Sequence, residues 1–232
     1  VAVQAAGTVV PAQEVAVSPR VRGIVVSLNP ELEPGGLVRA GDELARVDPG
    51  DYRLAVRQME GTLAQAEAGL HLEEGRQTVA RAEMRLLGED HPEASHDLMI
   101  RAPQMRSAKG AVNVARATRD RARAELARTT IDAPFDAVVR TRSTDLGAYV
   151  NEGTPLATLV GTRQWRVEVG IPVDELRWVQ VPDGAGTQGA RARVFDEAAW
   201  GPGVWRDGRV VRLSPELESQ GRLAKLIVAV DD

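Results

Sequence analysis

The chain has 232 residues, 43% of them hydrophobic but only 3% aromatic, and a formal charge of -4. That length suits one or two domains, so few aromatics suit several small modules better than one large globule, and the acidic balance gives no reason to expect nucleic acid. The absence of cysteine excludes disulfides, zinc–thiolate sites and a cysteine nucleophile, and no apolar run approaches the ~20 residues needed to cross a bilayer.

Residues 1–18 alternate loosely around Gly7 and Pro11, which predicts one or two short strands. A strand enters at Gly23, and a Pro/Gly turn over 30–36 leads to a further strand pair. That pair ends at Val47-Asp48-Pro49-Gly50, a helix-start signal with Asp51 as the expected N-cap.

Residues 52–129 then read as a two-armed helical excursion. A heptad places Val56, Met59, Leu63, Ala66, Leu70, Ala80, Met84 and Leu87 at a and d of the first arm, interrupted by Glu73 and Gln77. The second arm places Leu98, Met105, Ala108, Val112, Ala115, Ala122 and Leu126 there, with Arg101, Arg119 and Thr129 as exceptions. A seam so narrow and alanine-rich suits a two-stranded coiled coil, with arms on the order of 50 Å long. Residues 88–95, with Pro92 central, supply the reversal. Arg116–Asp120 and Arg121–Glu125 have the i,i+4 spacing of a solvated helix face.

Beyond the arms the opening design returns. Gly35, Val38, Gly41, Leu44 and Val47 recur at three-residue steps, and so do Gly147, Val150, Gly153, Leu156 and Leu159. This is an internal repeat split by the helices. Each half is too short to bury a face alone, so the two are expected to pack on each other and clamp the rod's base. Residues 163–232 are all-β in pattern, with a short helix after Pro172.

The chemistry-bearing residues point to no catalytic, cofactor or metal site. The loop Gly184-Ala185-Gly186-Thr187-Gln188-Gly189 lacks the lysine of a phosphate loop. His91 and His96 lie near the tip with Glu89, Asp90 and Asp97, a grouping that suits a solvated acidic turn better than a zinc or copper site. Met59, Met84 and Met105 are seam positions, where methionine is ordinary packing; Met99 is the fourth methionine. With three histidines, all between the flanks, no Ser/His/Asp set is assembled and no enzyme is expected.

The order of these pieces resembles a known family. Val38 to Leu44 as V-x-x-G-D-x-L, a long helical hairpin, Ile131-Asp132-Ala133-Pro134-Phe135-Asp136, and Val150 to Leu156 as V-x-x-G-x-x-L are similar to the periplasmic adaptor (membrane fusion) proteins of tripartite efflux pumps and type I secretion systems. Residues 165–169, 171–176 and 210–216 resemble that family's small β-barrel. The resemblance implies an α+β, multi-module fold: a coiled-coil hairpin inserted between two halves of a biotinyl/lipoyl-like β-sandwich, followed by a small β-barrel. The expected boundaries are 15–50 plus 130–162 for the sandwich, 51–129 for the hairpin and 1–14 plus 163–232 for the barrel. The family's membrane-proximal domain is expected to lie outside this chain.

The resemblance also implies a role: a periplasmic subunit that self-associates into a ring, a hexamer by analogy. It would link an inner-membrane transporter to an outer-membrane channel, held by an N-terminal anchor upstream of Val1. The hairpin tip, Leu86, Leu87, Gly88, Glu89, Asp90, His91 and Pro92, would contact the channel. Two departures stand out. Ala137 occupies a position where the family usually has glycine, which is tolerable if φ there is negative. The Arg–Leu–Ser trio that many drug-efflux adaptors carry at the tip is not evident between Arg81 and Ser107. Alternative readings are a type I protein-secretion adaptor and, in another class, a lipoyl/biotinyl-like carrier or enzyme accessory domain. A carrier would need a lysine on the turn where the hairpin stands, and the two lysines, Lys109 and Lys225, lie elsewhere.

Overall fold

The computed structural model describes residues 2–87, 97–183, 187–218 and 223–231. Before the rod come strands β1 (Gly7–Pro11), β2 (Glu14–Val17), β3 (Gly23–Leu28), β4 (Leu37–Val38) and β5 (Glu43–Val47). The rod consists of helices α1 (Gly50–Leu87) and α2 (Ala102–Ala127). After it come β6 (Thr130–Asp132), β7 (Ala137–Arg142), β8 (Tyr149–Val150), β9 (Ala157–Gly161) and β10 (Gln164–Pro172). The chain continues with β11 (Arg191–Phe195), the one-turn helix α3 (Glu197–Trp200), β12 (Trp205–Glu218) and β13 (Leu223–Asp231).

The flanks of the rod interleave. One four-stranded sheet has the order β2-β9-β7-β4 and the other β6-β5-β3-β8, so each takes two strands from either side of the helices. Leu37 pairs with Val138, and Gly23 with Val150. Each strand is too short to hold a register alone, and the register comes from the shared core. Val17, Val25, Leu44 and Val47 from the first flank are buried in one cluster with Ile131, Val139, Val150, Leu156 and Leu159 from the second.

The repeat is a structural two-fold. Gly35 N–H donates to the Val139 carbonyl and Gly147 N–H to that of Val25, each at 2.8 Å. Asp42 N–H bonds Arg39 O as Thr154 N–H bonds Asn151 O, and Asn29 N–H meets Leu44 O as Ser143 N–H meets Leu156 O. At the matched turns Gly41 and Gly153 have φ of 86° and 79°, the left-handed region that a side chain disfavours. Ala137, the departure from the family pattern, is buried in β7 and does not have positive φ, so its methyl group is accommodated.

The remaining strands form a five-stranded antiparallel sheet in the order β1-β10-β13-β12-β11. Its own core gathers Val167, Ile171, Val210, Leu226, Val228 and Val230. No ladder joins β11 to β1 among the described residues, so the region expected to be a barrel is hydrogen-bonded here as an open sheet. The short helix expected after Pro172 is a 3-10 turn over Leu176–Trp178.

A helix cap also differs from expectation. Asp48 Oδ1, not Asp51, accepts from the first helical amide, Gly50 N–H, at 2.9 Å. Asp51 instead lies in the first turn of α1, where its charge complements the helix dipole.

The two-fold makes a graded prediction for chemical denaturation. At Gly153 an added Cβ meets open space, so Gly153→Ala should cost only the strain of its φ, about 1–2 kcal/mol. Leu156, 1% exposed in the shared core, should cost about 2–5 kcal/mol as Leu156→Ala.

Candidate functional site

Helix α1 runs for 38 residues, roughly 57 Å, and α2 for 26, roughly 39 Å. They pack antiparallel along the expected seam. Leu63, Val112 and Ala115 form its small buried cluster, with Ala66 and Leu70 against it. Charged pairs cross between the arms on the rod's flank. Arg123 Nη2 lies 2.6 Å from Glu60 Oε1, and Arg116 Nη2 3.8 Å from Glu67 Oε1. Arg121 does pair with Glu125 along its own helix, at 3.1 Å. The expected Arg116–Asp120 pair is not formed: Arg116 reaches the other arm and Asp120 meets Arg119 at 2.7 Å. An exposed cation gains as much from a neighbouring arm as from its own helix, so i,i+4 spacing alone does not decide the partner.

Toward the far end the seam's polar exceptions meet one another. Glu73 and Gln77 are buried, at 7% and 8% exposure. Glu73 accepts two hydrogen bonds from the Arg101 guanidinium, 2.6 Å from Nε and 3.1 Å from Nη2. Gln77 Nε2 donates to the Ile100 carbonyl at 2.9 Å. These hydrogen bonds from Arg101 hold the Glu73 carboxyl below the usual carboxylate range, against the opposing effect of burial, and the same pairing raises Arg101.

The second arm is broken at this point. Residues 97–99 are helical, Ile100 and Arg101 turn, and α2 starts at Ala102. Arg101 has φ 59° and ψ 29°, and among the described residues it is the one non-glycine residue with positive φ. The sequence reading carried the helix through this point and placed Leu98 on the seam; instead Leu98 is 65% exposed. Pro103 favours the break. In an unbroken helix its ring would clash with the Met99 carbonyl, at about 3 kcal/mol, whereas in the first turn of α2 it is at ease. The turn leaves a groove of about 690 Å³ whose lining includes Leu72, Val79, Ala80, Leu98 and Met99.

Of the residues expected at the tip, Leu86 is 87% exposed and Leu87 closes α1. Gly88, Glu89, Asp90, His91 and Pro92 lie outside the described residues. The outward face of α1 was missed in the sequence. Between Arg57 and Arg85 the heptad positions facing away from α2 carry no Asp, Glu, Lys or Arg. Gly61, Ala68, Gly75 and Ala82 form a row there, all of them exposed; Gly75, like Leu72 and Val79, also borders the groove beside Leu98. A solvated helix face is ordinarily charged, so this one is unusual.

Residues 13–162 match the family model described as RND MFP, barrel-sandwich hybrid domain. The chain belongs to the membrane fusion proteins, the periplasmic adaptor family. It is 30% identical over 169 residues to the multidrug resistance protein MdtA of Yersinia pestis, a match that takes in 73% of this chain and 37% of MdtA. Its fold is similar to that of the membrane fusion protein Spr0693 from Streptococcus pneumoniae R6, with TM-score 0.66, 16% identity, and 97% of this chain and 88% of that one covered. It is also similar to a MacA–MexA chimeric protein containing the Pseudomonas aeruginosa MexA α-hairpin domain, with TM-score 0.65, 18% identity, and 98% and 74% covered. Among the described residues no helix is long and apolar enough to cross a membrane.

The ion pair gives the far end a pH dependence. Because the folded pKa of Glu73 is depressed, its stabilisation is complete above the ordinary glutamate value of about 4.3 and is lost as pH falls through the lower folded value. The carbon chemical shifts of Arg101, which report its left-handed backbone, should move as pH falls below the ordinary glutamate range, while those of Val112 and Ala115 hold.

Proposed function

We propose that this chain is the hairpin-bearing part of a periplasmic adaptor that couples an inner-membrane efflux transporter to an outer-membrane channel by mechanical sealing rather than catalysis. The observation that carries the reading is the split sandwich. Two sheets woven from both flanks anchor a rod that projects from a firm base, and the family model covers that assembly. The proposed division is a sandwich of 15–50 plus 130–162, a hairpin of 51–129 and a third module of 1–14 plus 163–232.

Copies of the adaptor pack side by side into a ring, a hexamer by family analogy, with the hairpins forming a tube. The uncharged outward face of α1 supports this, because small residues at Gly61, Ala68, Gly75 and Ala82 let a neighbouring helix approach closely without stranding a charge. The tip, including Leu86 and Leu87, meets the channel, and the exposed Leu86 supplies apolar area there. The name of the relative MdtA favours small toxic molecules over polypeptides as cargo. A carrier role is disfavoured by chemistry: Lys109 lies within α2, and Lys225 in β13 is 2.5 Å from Glu168.

Two outcomes test this. In a strain that depends on the full-length adaptor for drug tolerance, Leu86→Asp should lower tolerance several-fold while the protein accumulates normally; unchanged tolerance would remove the tip from the docking surface. Ala68→Arg, on the outward face, should leave helicity intact and reduce the oligomer seen by native mass spectrometry. An undiminished ring would show that α1 does not face a neighbour.

A further inference from the structure

Three side chains that interrupt the coiled-coil seam, Glu73, Gln77 and Arg101, interrupt it at one place and bond to the same turn. That turn holds the left-handed Arg101, a conformation that an arginine adopts only when its surroundings impose it. Around the turn the seam is still written for an unbroken helix. Leu70 packs against the cluster that holds Val112, and two heptads outward from a Leu70–Val112 level an unbroken second arm would bring Leu98 opposite Met84. Yet Leu98 is 65% exposed, beside the groove that the break has opened. The sequence thus encodes two arrangements of residues 97–103. In one the arm is broken at Arg101, with Pro103 unstrained. In the other the arm is continuous, bent at Pro103, with Leu98 on the seam.

We propose that Glu73 is a latch that selects the broken arrangement: its buried carboxylate grips the Arg101 side chain and so holds the backbone in the left-handed turn, and release of that grip returns Leu98 to the seam. The charged groups that face Glu73 are Arg101 from the second arm and Arg76, 3.6 Å away on its own helix. His71 pairs with Glu74 instead, at 3.2 Å. Arg76 can neutralise Glu73 but sits on α1 and cannot hold the turn, so the latch depends on Arg101. Gln77 adds a second hold through the Ile100 carbonyl. The inference concerns the described end of the second arm and stands whether or not the chain docks a channel.

Because the chain has no cysteine, a single Leu98→Cys reports the state by its reaction with a maleimide at fixed pH. In the otherwise native protein the thiol should react as an exposed one. Adding Glu73→Leu, which cuts the grip and supplies an apolar seam residue, should slow labelling at least tenfold as residue 98 moves onto the seam. Adding Arg101→Gly to that pair should restore fast labelling, since glycine keeps the left-handed turn without the bridge. Far-UV circular dichroism confirms that each variant is folded. Glu73→Gln, which keeps one acceptor for Arg101, should fall between the extremes and serves if Glu73→Leu does not fold. Unchanged or faster labelling on loss of the Glu73 carboxylate would overturn the proposal, as would failure of Arg101→Gly to restore it.

Discussion

Four short ladders between strands that lie far apart in sequence hold this molecule together: β2 with β9, β3 with β8, β4 with β7 and β5 with β6. None has more than a few residue pairs, and an isolated ladder of that size is not stable in water. Together they enclose one apolar core to which both flanks contribute. Closing a loop as long as the rod would cost considerable entropy if the loop were flexible. The antiparallel helices reduce that cost, because they deliver the end of β5 and the start of β6 side by side, where Val47 N–H reaches the Thr129 carbonyl at 2.8 Å. Rod and sandwich therefore depend on each other: the rod brings the flanks together, and the sandwich holds the rod's feet.

Features with a local period were legible in the sequence. The three-residue step of Gly35 to Val47 and of Gly147 to Leu159 is a backbone requirement repeated twice, and it reappears as matched hydrogen bonds and matched glycine φ values. The heptad likewise reports burial along α1 and along α2 from Met105 inward. What escaped depended on pairwise geometry. Glu73, Gln77 and Arg101 look like three separate blemishes in a helical wheel, and only the folded chain brings them together. Pro103 is the signal for the break that the sequence offers, although the apolar phase continues through Leu98. The capping role of Asp48, the cross-arm choice of Arg116 and the absence, among the described residues, of a ladder between β11 and β1 share that origin, since each is decided by what the third dimension places nearby.

The two helices differ in what they offer. Between them lies a narrow seam flanked by charged pairs, which sets the direction of the rod. Outside α1 lies a face without charge, in a chain that is 27% charged overall. A rod that worked alone would gain solubility from charges there, and their absence is what the proposed helix neighbour rests on. The polar layer at Glu73 has a different part. Buried ionic groups seldom add net stability, and the part proposed for this one is to single out one arrangement of the second arm. It lies where the second arm breaks, toward the far end of the rod.

The woven base is tested most directly by a disulfide across it. Ile24 and Tyr149 are exposed register partners from opposite flanks, and antiparallel partners lie about 4.5–5.5 Å apart at Cα, within disulfide reach. With no native cysteine to compete, Ile24→Cys combined with Tyr149→Cys should oxidise to an intramolecular crosslink in nearly all molecules, seen by peptide mapping, with the fold retained. Thiols that stay reduced, or that crosslink only between molecules, would show that the two flanks do not share a sheet.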